Sequence, residues 1–145
     1  MNKYMEFAIE EAKKGYKKGH GGPYGAVVVK NDKVVGRGHN SMLWKKDPTA
    51  HAEVEAIRDA CKNLKTYNLS GCDIYTVSEP CVMCLGAILL ANIEHCYFGC
   101  TLEDAKILGL SENNFYNNME ILHDQITKCI NRDECLQMFE TYNNK

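Results

Sequence analysis

Cys72-Asp73-Ile74-Tyr75-Thr76-Val77-Ser78-Glu79-Pro80-Cys81-Val82-Met83-Cys84-Leu85-Gly86-Ala87-Ile88-Leu89-Leu90-Ala91 is the stretch whose reading decides the fold of this chain. Cys72 to Ser78 is rich in β-branched and aromatic residues and reads as a strand. Val82 to Ala91 is apolar on nearly every side, which predicts a helix buried on most of its surface. Glu94 to Gly99 then reads as another strand. Strand, helix, strand is a βαβ unit, and such a unit requires a parallel pair with a helix packed across it. The fold class is therefore α/β.

Inside that unit, Pro80 is expected at the first position of the helix, where its missing N–H is no loss. Cys81 and Cys84 stand three residues apart and so lie close to one helical face. The exposed N–H groups and positive end of the helix favour thiolate over thiol. Thirty residues upstream lies His51-Ala52-Glu53, preceded by Asp47-Pro48-Thr49. Those three read as a helix start, with Asp47 or Thr49 as cap. His51 is expected at its irregular beginning and Glu53 beside it, since residues two apart do not share a face in mid-helix.

Taken alone, Cys-x-x-Cys fits a redox motif, a structural zinc site or chance. Paired with His51 it supplies one imidazole and two thiolates, and a catalytic zinc site uses three protein ligands with the fourth position open. Glu53 is the informative addition, a carboxylate able to act as general acid and base without being a ligand. His-x-Glu followed by Pro-Cys-x-x-Cys is the mark of zinc-dependent nucleobase deaminases. Zinc acidifies water to a pKa of about 7, so hydrolysis becomes possible at neutral pH. Glu53 would carry a proton to a ring nitrogen and then to the departing amine. Backbone N–H groups at the helix starts near Ala52 and Cys81 could steady the tetrahedral intermediate.

The composition is compatible with one domain spanning 1–145, large enough for a core. Hydrophobic residues make up 45% and charged residues 25%, which excludes a disordered chain or a disulfide-built miniprotein. A net charge of −2 is unlike that of a protein living on phosphate backbones, so nucleic acid is not an expected partner on this ground. The chain opens with a polar amphipathic stretch in place of a signal peptide, and the longest apolar run is too short to span a bilayer. A cytoplasmic location with reduced thiols follows, and no membrane partner is expected. Of the eight cysteines, the six outside the zinc motif, Cys61, Cys72, Cys96, Cys100, Cys129 and Cys135, are expected as buried small hydrophobes.

Upstream, Tyr4, Met5, Ala8, Ile9, Ala12 and Tyr16 recur at helical spacing, with Lys13, Lys14, Lys17 and Lys18 on the wet side. Gly25 to Val29 and Val34 to His39 read as a hairpin turning at Lys30-Asn31-Asp32-Lys33. Gly21, Gly22 and Gly25 are expected to let the backbone pass close to a flat ligand. Asn40 carries a donor and an acceptor suited to the edge of a heterocyclic base, although asparagine after a strand often satisfies only its own turn. His39 is expected to be structural. Trp44 either covers a pocket or packs. Downstream, Thr101-x-x-Asp104 reads as a capping box for a short helix ending near Gly109. Residues 110–116 read as a surface loop or a pocket lid, Glu120 to Cys129 as a fifth strand, and Asn131 to Tyr142 as a last helix.

Over nearly its whole length the chain resembles the cytidine-deaminase-like superfamily. Gly21-Gly22-Pro23-Tyr24-Gly25-Ala26-Val27-Val28-Val29, Asp47-Pro48-Thr49-Ala50-His51-Ala52-Glu53-Val54 and Cys84-Leu85-Gly86-Ala87-Ile88 look most like the small bacterial guanine deaminases. That resemblance implies a three-layer α/β/α fold with a five-stranded mixed sheet, zinc on His51, Cys81 and Cys84, Glu53 as proton shuttle, Asn40 on the base, and a homodimer. Its implied reaction is deamination of a small-molecule purine, guanine to xanthine with release of ammonia. Guanine deaminases of this group usually carry Gly-Phe-Asp-Asp where this chain has Gly109-Leu110-Ser111-Glu112, and Glu112 keeps a carboxylate at the place where an aspartate reads the purine. Many also have a tryptophan near the C-terminus where this chain has Phe139 or Tyr142.

The bacterial tRNA adenosine deaminases share Asp47 to Glu53 and Glu79 to Cys84 almost letter for letter. Their glycine-rich run after the fourth strand is absent here, where Gly99-Cys100-Thr101-Leu102 continues, as is their basic tail. The alternative activity is thus adenosine-to-inosine conversion in an anticodon, the one reading with a nucleic-acid partner. A zinc-stabilised binding domain without turnover is a third reading. A structural zinc normally closes its shell with a fourth Cys or His, and no such residue stands at a recognisable spacing.

Overall fold

The computed structural model describes residues 1–110 and 119–144. The chain divides into two compact units, Met1–Ser111 and Glu112–Lys145. In the first, α1 (Lys3–Lys17), β1 (Gly25–Lys30), β2 (Lys33–His39), α2 (Met42–Lys45), α3 (Ala52–Leu64), β3 (Cys72–Ser78), α4 (Val82–Leu90), β4 (His95–Cys100) and α5 (Leu102–Ile107) follow in order. The second contains α6 (Met119–Ile126) and α7 (Arg132–Asn143).

The sheet has the order β2-β1-β3-β4. β1 pairs antiparallel with β2 and β3, while β3 and β4 are parallel, the pair that the βαβ reading requires. The hairpin turns through Asn31 and Asp32, both at positive φ (50° and 62°), the combination that matches strand twist in a two-residue loop. β1 is the central strand and its two faces serve different layers. Val27 and Val29 pack with Tyr4 and Phe7 of α1. Ala26 and Val28, with Ile74 of β3, pack against Ala52, Ala56 and Ala60 of α3 and Ile88 of α4. Helix, sheet and helix make the three layers within this unit.

Two sets of small residues let α3 lie almost on the sheet. Ala52, Ala56 and Ala60 recur every four residues and are fully buried, and Gly36 and Gly38 face them from β2. A Cβ at Gly38 would stand 2.4 Å from the backbone N of Ala56, and one at Gly36 2.5 Å from its carbonyl oxygen. The helix therefore fits only where both side chains are absent.

Several expectations are corrected. The sheet has four strands among the described residues, not five, because the segment expected as the fifth forms α6, Met119–Ile126. Its Met, Glu, Leu and Gln are good helix formers, and Thr127 closes it by donating from both N and Oγ1 to His123 O. α4 is not buried on most sides. Cys84 and Ile88, one turn apart, face the core, whereas Val82, Leu85, Leu89 and Leu90 are exposed, since a helix lying on one sheet face offers that sheet a single stripe. Of the six remaining cysteines only Cys72 is buried; Cys61 and Cys96 are partly so, and Cys100, Cys129 and Cys135 are exposed. The capping box at Thr101 and Asp104 is present as read.

Gly38→Ala should lower unfolding free energy by about 2 kcal/mol through overpacking against α3, measured by urea denaturation of the zinc-loaded protein.

Candidate metal centre and active site

Two of the three candidate metal ligands, His51 and Cys81, sit at the N-cap of a helix, and Cys84 lies in the first turn of α4. His51 is the N-cap of α3, with extended backbone (φ −73°, ψ 157°), so its side chain leaves the chain before the helix begins. Asp47 and Thr49 are not the cap. Asp47 accepts from both N and Oγ1 of Thr49 and shapes the turn leading to His51. Cys81 is the N-cap of α4 (φ −68°, ψ 170°), and its sulfur accepts from Cys84 N at 3.5 Å. Pro80 therefore stands one residue before the cap and not at the first helical position. α3 and α4 lie on the same face of the sheet, so their N-termini can deliver ligands to a common point.

His51 Nδ1 lies 3.6 Å from Cys81 Sγ and 3.5 Å from Cys84 Sγ, and all three donor atoms lie within 4.8 Å of one another. A tetrahedral zinc with ordinary Zn–N and Zn–S bonds would hold nitrogen and sulfur about 3.6 Å apart. The donor set fits zinc in both chemistry and spacing. Glu53, in the first turn of α3, is 6% exposed and hydrogen-bonded with the Cys84 thiol. The carboxylate is thus brought to the metal pocket without joining the donor set.

The other expected residues are placed as follows. Ala52 opens α3 and is fully buried. Asn40, 4% exposed, accepts from Met42 N through Oδ1 at 3.0 Å, so the local turn takes part of its carboxamide. Its Nδ2 lies 3.6 Å from Met42 Sδ, a weak acceptor that leaves the amide a donor for a ring. Ser41 N donates to Ala50 O, which sets the residue after Asn40 against the residue before His51. A Cβ at Gly21 would fall 2.3 Å from Asn40 Oδ1, and one at Gly25 2.2 Å from Ala8 O. Those two glycines make room for Asn40 and for α1. Glu112 and residues 111–118 lie outside the described residues.

Residues 1–100 match the family described as the cytidine and deoxycytidylate deaminase zinc-binding region. The chain belongs to that family. It is 41% identical over 117 residues to a guanine deaminase of Bacillus subtilis (strain 168), covering 81% of this chain and 75% of that protein. To a tRNA-specific adenosine deaminase of Aquifex aeolicus (strain VF5) it is 44% identical over 95 residues, 66% of this chain and 62% of the other. The X-ray structure of the guanine deaminase from Bacillus subtilis superposes with a TM-score of 0.89 at 36% identity, covering all of this chain and 96% of that one. This is a zinc-dependent hydrolytic deaminase. Among the described residues no helix is long and apolar enough to cross a membrane.

The electrostatics of the deaminase pocket follow from its burial. Desolvation raises the Glu53 carboxyl above its usual range, against the pull of its own backbone N–H, Cys84 and His51. A carboxyl raised in this way holds a proton more readily than an exposed one. Cys81 is pushed down to about 4, chiefly because the Cys84 thiol donates to it, with His51 adding to the effect. Cys84 is raised by the same shared proton and by burial. Without metal the pair therefore holds one thiolate and one thiol.

Sequence reasoning missed two links that brace this region. Glu79 Oε1 accepts from Leu102 N at 3.0 Å, fastening the start of α5 to the residue before Pro80. Tyr24 donates its hydroxyl to Leu110 O at 2.7 Å across 86 residues, a pairing with no local signal in the chain.

In protein stripped of metal, Cys81 should react with iodoacetamide at about pH 6, where an ordinary thiol is under about 1% ionised. Added zinc should protect it. Mass spectrometry of the Cys81 peptide, timed with and without zinc, checks both.

Proposed function

We propose that this deaminase hydrolyses guanine to xanthine and ammonia. The observation that carries the reading is the likeness to the Bacillus subtilis guanine deaminase, which extends over the full length of the chain at a TM-score of 0.89. The structure of a tRNA:A34 deaminase matches over 70% of this chain at a TM-score of 0.67. A net charge of −2 also favours a small substrate over an anticodon stem.

Zinc held by His51, Cys81 and Cys84 supplies Lewis acidity and a nucleophilic water oxygen at neutral pH. The chain's own groups do the rest. Glu53, raised by burial, would accept one proton of the attacking water and pass it to a purine ring nitrogen, then take the second from the hydroxyl of the adduct and give it to the amine, which leaves as ammonia while the carbonyl forms. Asn40 donates from Nδ2 to an acceptor on the ring, with its Oδ1 held by Met42 N. The N–H groups at the start of α3, beginning with Ala52, face the oxygen side of the addition, and Glu112 reads the far edge of the purine. The exposed apolar side chains of α4 and β4, Leu85, Leu89, Leu90 and Phe98, support a homodimer. Eight unpaired cysteines accord with a cytoplasmic location.

Ammonia release should be measured over guanine, guanosine, adenine, adenosine, cytosine, cytidine and an anticodon stem-loop RNA. Guanine should be the preferred substrate, and Glu53→Gln should lower its kcat by about 10²- to 10⁴-fold while bound zinc, measured by atomic emission, stays stoichiometric. Turnover confined to the RNA would replace the substrate and leave the chemistry standing.

A further inference from the structure

Outside the metal pocket, side chains from three elements and one connecting turn meet in a line. Glu11 of α1, 7% exposed, accepts from His39 Nδ1 at 3.0 Å. His39 ends β2, and its Nε2 lies 2.9 Å from Nδ1 of His20, in the turn after α1. The His20 ring stacks on the indole of Trp44 in α2, with centroids 4.2 Å apart and planes 10° from parallel. Leu43 N and Trp44 N both donate to His20 O, so α2 is fastened to this residue twice. A Cβ at Gly15 would come within 2.5 Å of the His39 ring, which leaves that ring no room to swing toward α1.

Proton counting limits the states of this line. A Glu11 carboxylate needs a hydrogen on His39 Nδ1. One hydrogen, not two, then fits between His39 Nε2 and His20 Nδ1 at their hydrogen-bonded distance. The two rings together accommodate a charge of zero or plus one. A further proton would set two N–H groups against each other and open the bond. Lys14 of α1, Arg37 of β2, and Glu55 and Asp59 of α3 line a cavity of about 330 Å³ against His39 and Trp44. Lys45 of α2 is held by Glu55. Desolvation, His39 and Lys18 together hold His20 below the ordinary imidazole value.

The line ends where Asn40 begins. His39 O accepts from Ser41 Oγ at 3.1 Å. Asn40 N donates to Tyr24 O, and Ser41 N to Ala50 O. His39, Asn40 and Ser41 thus form a short arm, with one end set by the histidine pair and the other set beside His51.

We propose that Glu11, His39, His20 and Trp44 are positioning residues for Asn40, acting through a hydrogen-bonded line that opens when the histidine pair takes up a further proton. Binding of the purine then weakens in acid independently of the chemistry at the metal. The inference rests on the reading of Asn40 as a contact to the base.

Trp44 is the only tryptophan of the chain, so its fluorescence reports the stack directly. In the zinc-loaded wild type, emission should change in acid as the proton beyond the single charge opens the histidine pair and loosens its stack on the indole, and His20→Gln should abolish most of that change. With guanine at about pH 7.5, His20→Phe keeps a stacking ring but loses the hydrogen bond, and should raise KM about five- to tenfold with kcat within about twofold. His20→Gln should return KM to near the wild-type value and remove its rise in acid. An emission change that persists in His20→Gln overturns the titrating line. A wild-type KM in His20→Phe overturns the positioning role. An unchanged KM in Asn40→Ala overturns the base contact as well, and is distinguishable because the Trp44 titration is read without substrate.

Discussion

The contact between the alanine face of α3 and the glycines of β2 is the constraint on which the rest depends. Fully buried Ala52, Ala56 and Ala60 bring helix and strand backbones close enough that a single Cβ at Gly36 or Gly38 would meet backbone atoms of the helix. That contact sets where α3 begins, and its beginning is His51. α4 is seated on the same sheet face by Ile88 and Cys84, and its beginning is Cys81. Packing distance, transmitted along two helices, becomes the spacing of the three metal donors.

The N-cap is well suited to this task. A cap residue has extended backbone, so its side chain projects beyond the helix instead of along its flank. His51 and Cys81 both take that conformation, and Cys84 follows one turn behind. The carboxylate of Glu53 lies just inside the first turn of α3, where burial raises its proton affinity. The candidate ligands and Glu53 are therefore placed by helix starts, the parts of a helix with free donors and a favourable dipole for anionic groups.

Asn40, the proposed contact to the base, depends on a separate bracing system. Asn40 is reached from β2, bounded by His39 and Ser41, and fixed through Tyr24 and Ala50. The Glu11, His39, His20 and Trp44 line stiffens the side of this arm away from the metal. On the proposed reading of Asn40, recognition and chemistry would be carried by different supports within one unit.

Short-range patterns determined much of this protein by themselves. The βαβ unit, the hairpin at Asn31-Asp32, the capping box at Thr101 and Asp104, and the zinc motif were all legible because each depends on residues within a few positions or on a two-part spacing. The α6 segment was misread because alternation over so short a run does not distinguish strand from helix without a neighbouring strand to pair with. Exposure along α4 was hidden for a related reason: hydrophobicity tells that a side chain leaves water, but not which surface receives it. Only the tertiary structure decided the approach of α3 to β2, the 3.5–3.6 Å donor spacing, and the meeting of Glu11, His20, His39 and Trp44. These are distances between groups far apart in the chain, and such distances arise from packing volume and hydrogen-bond geometry that no local run of residues encodes.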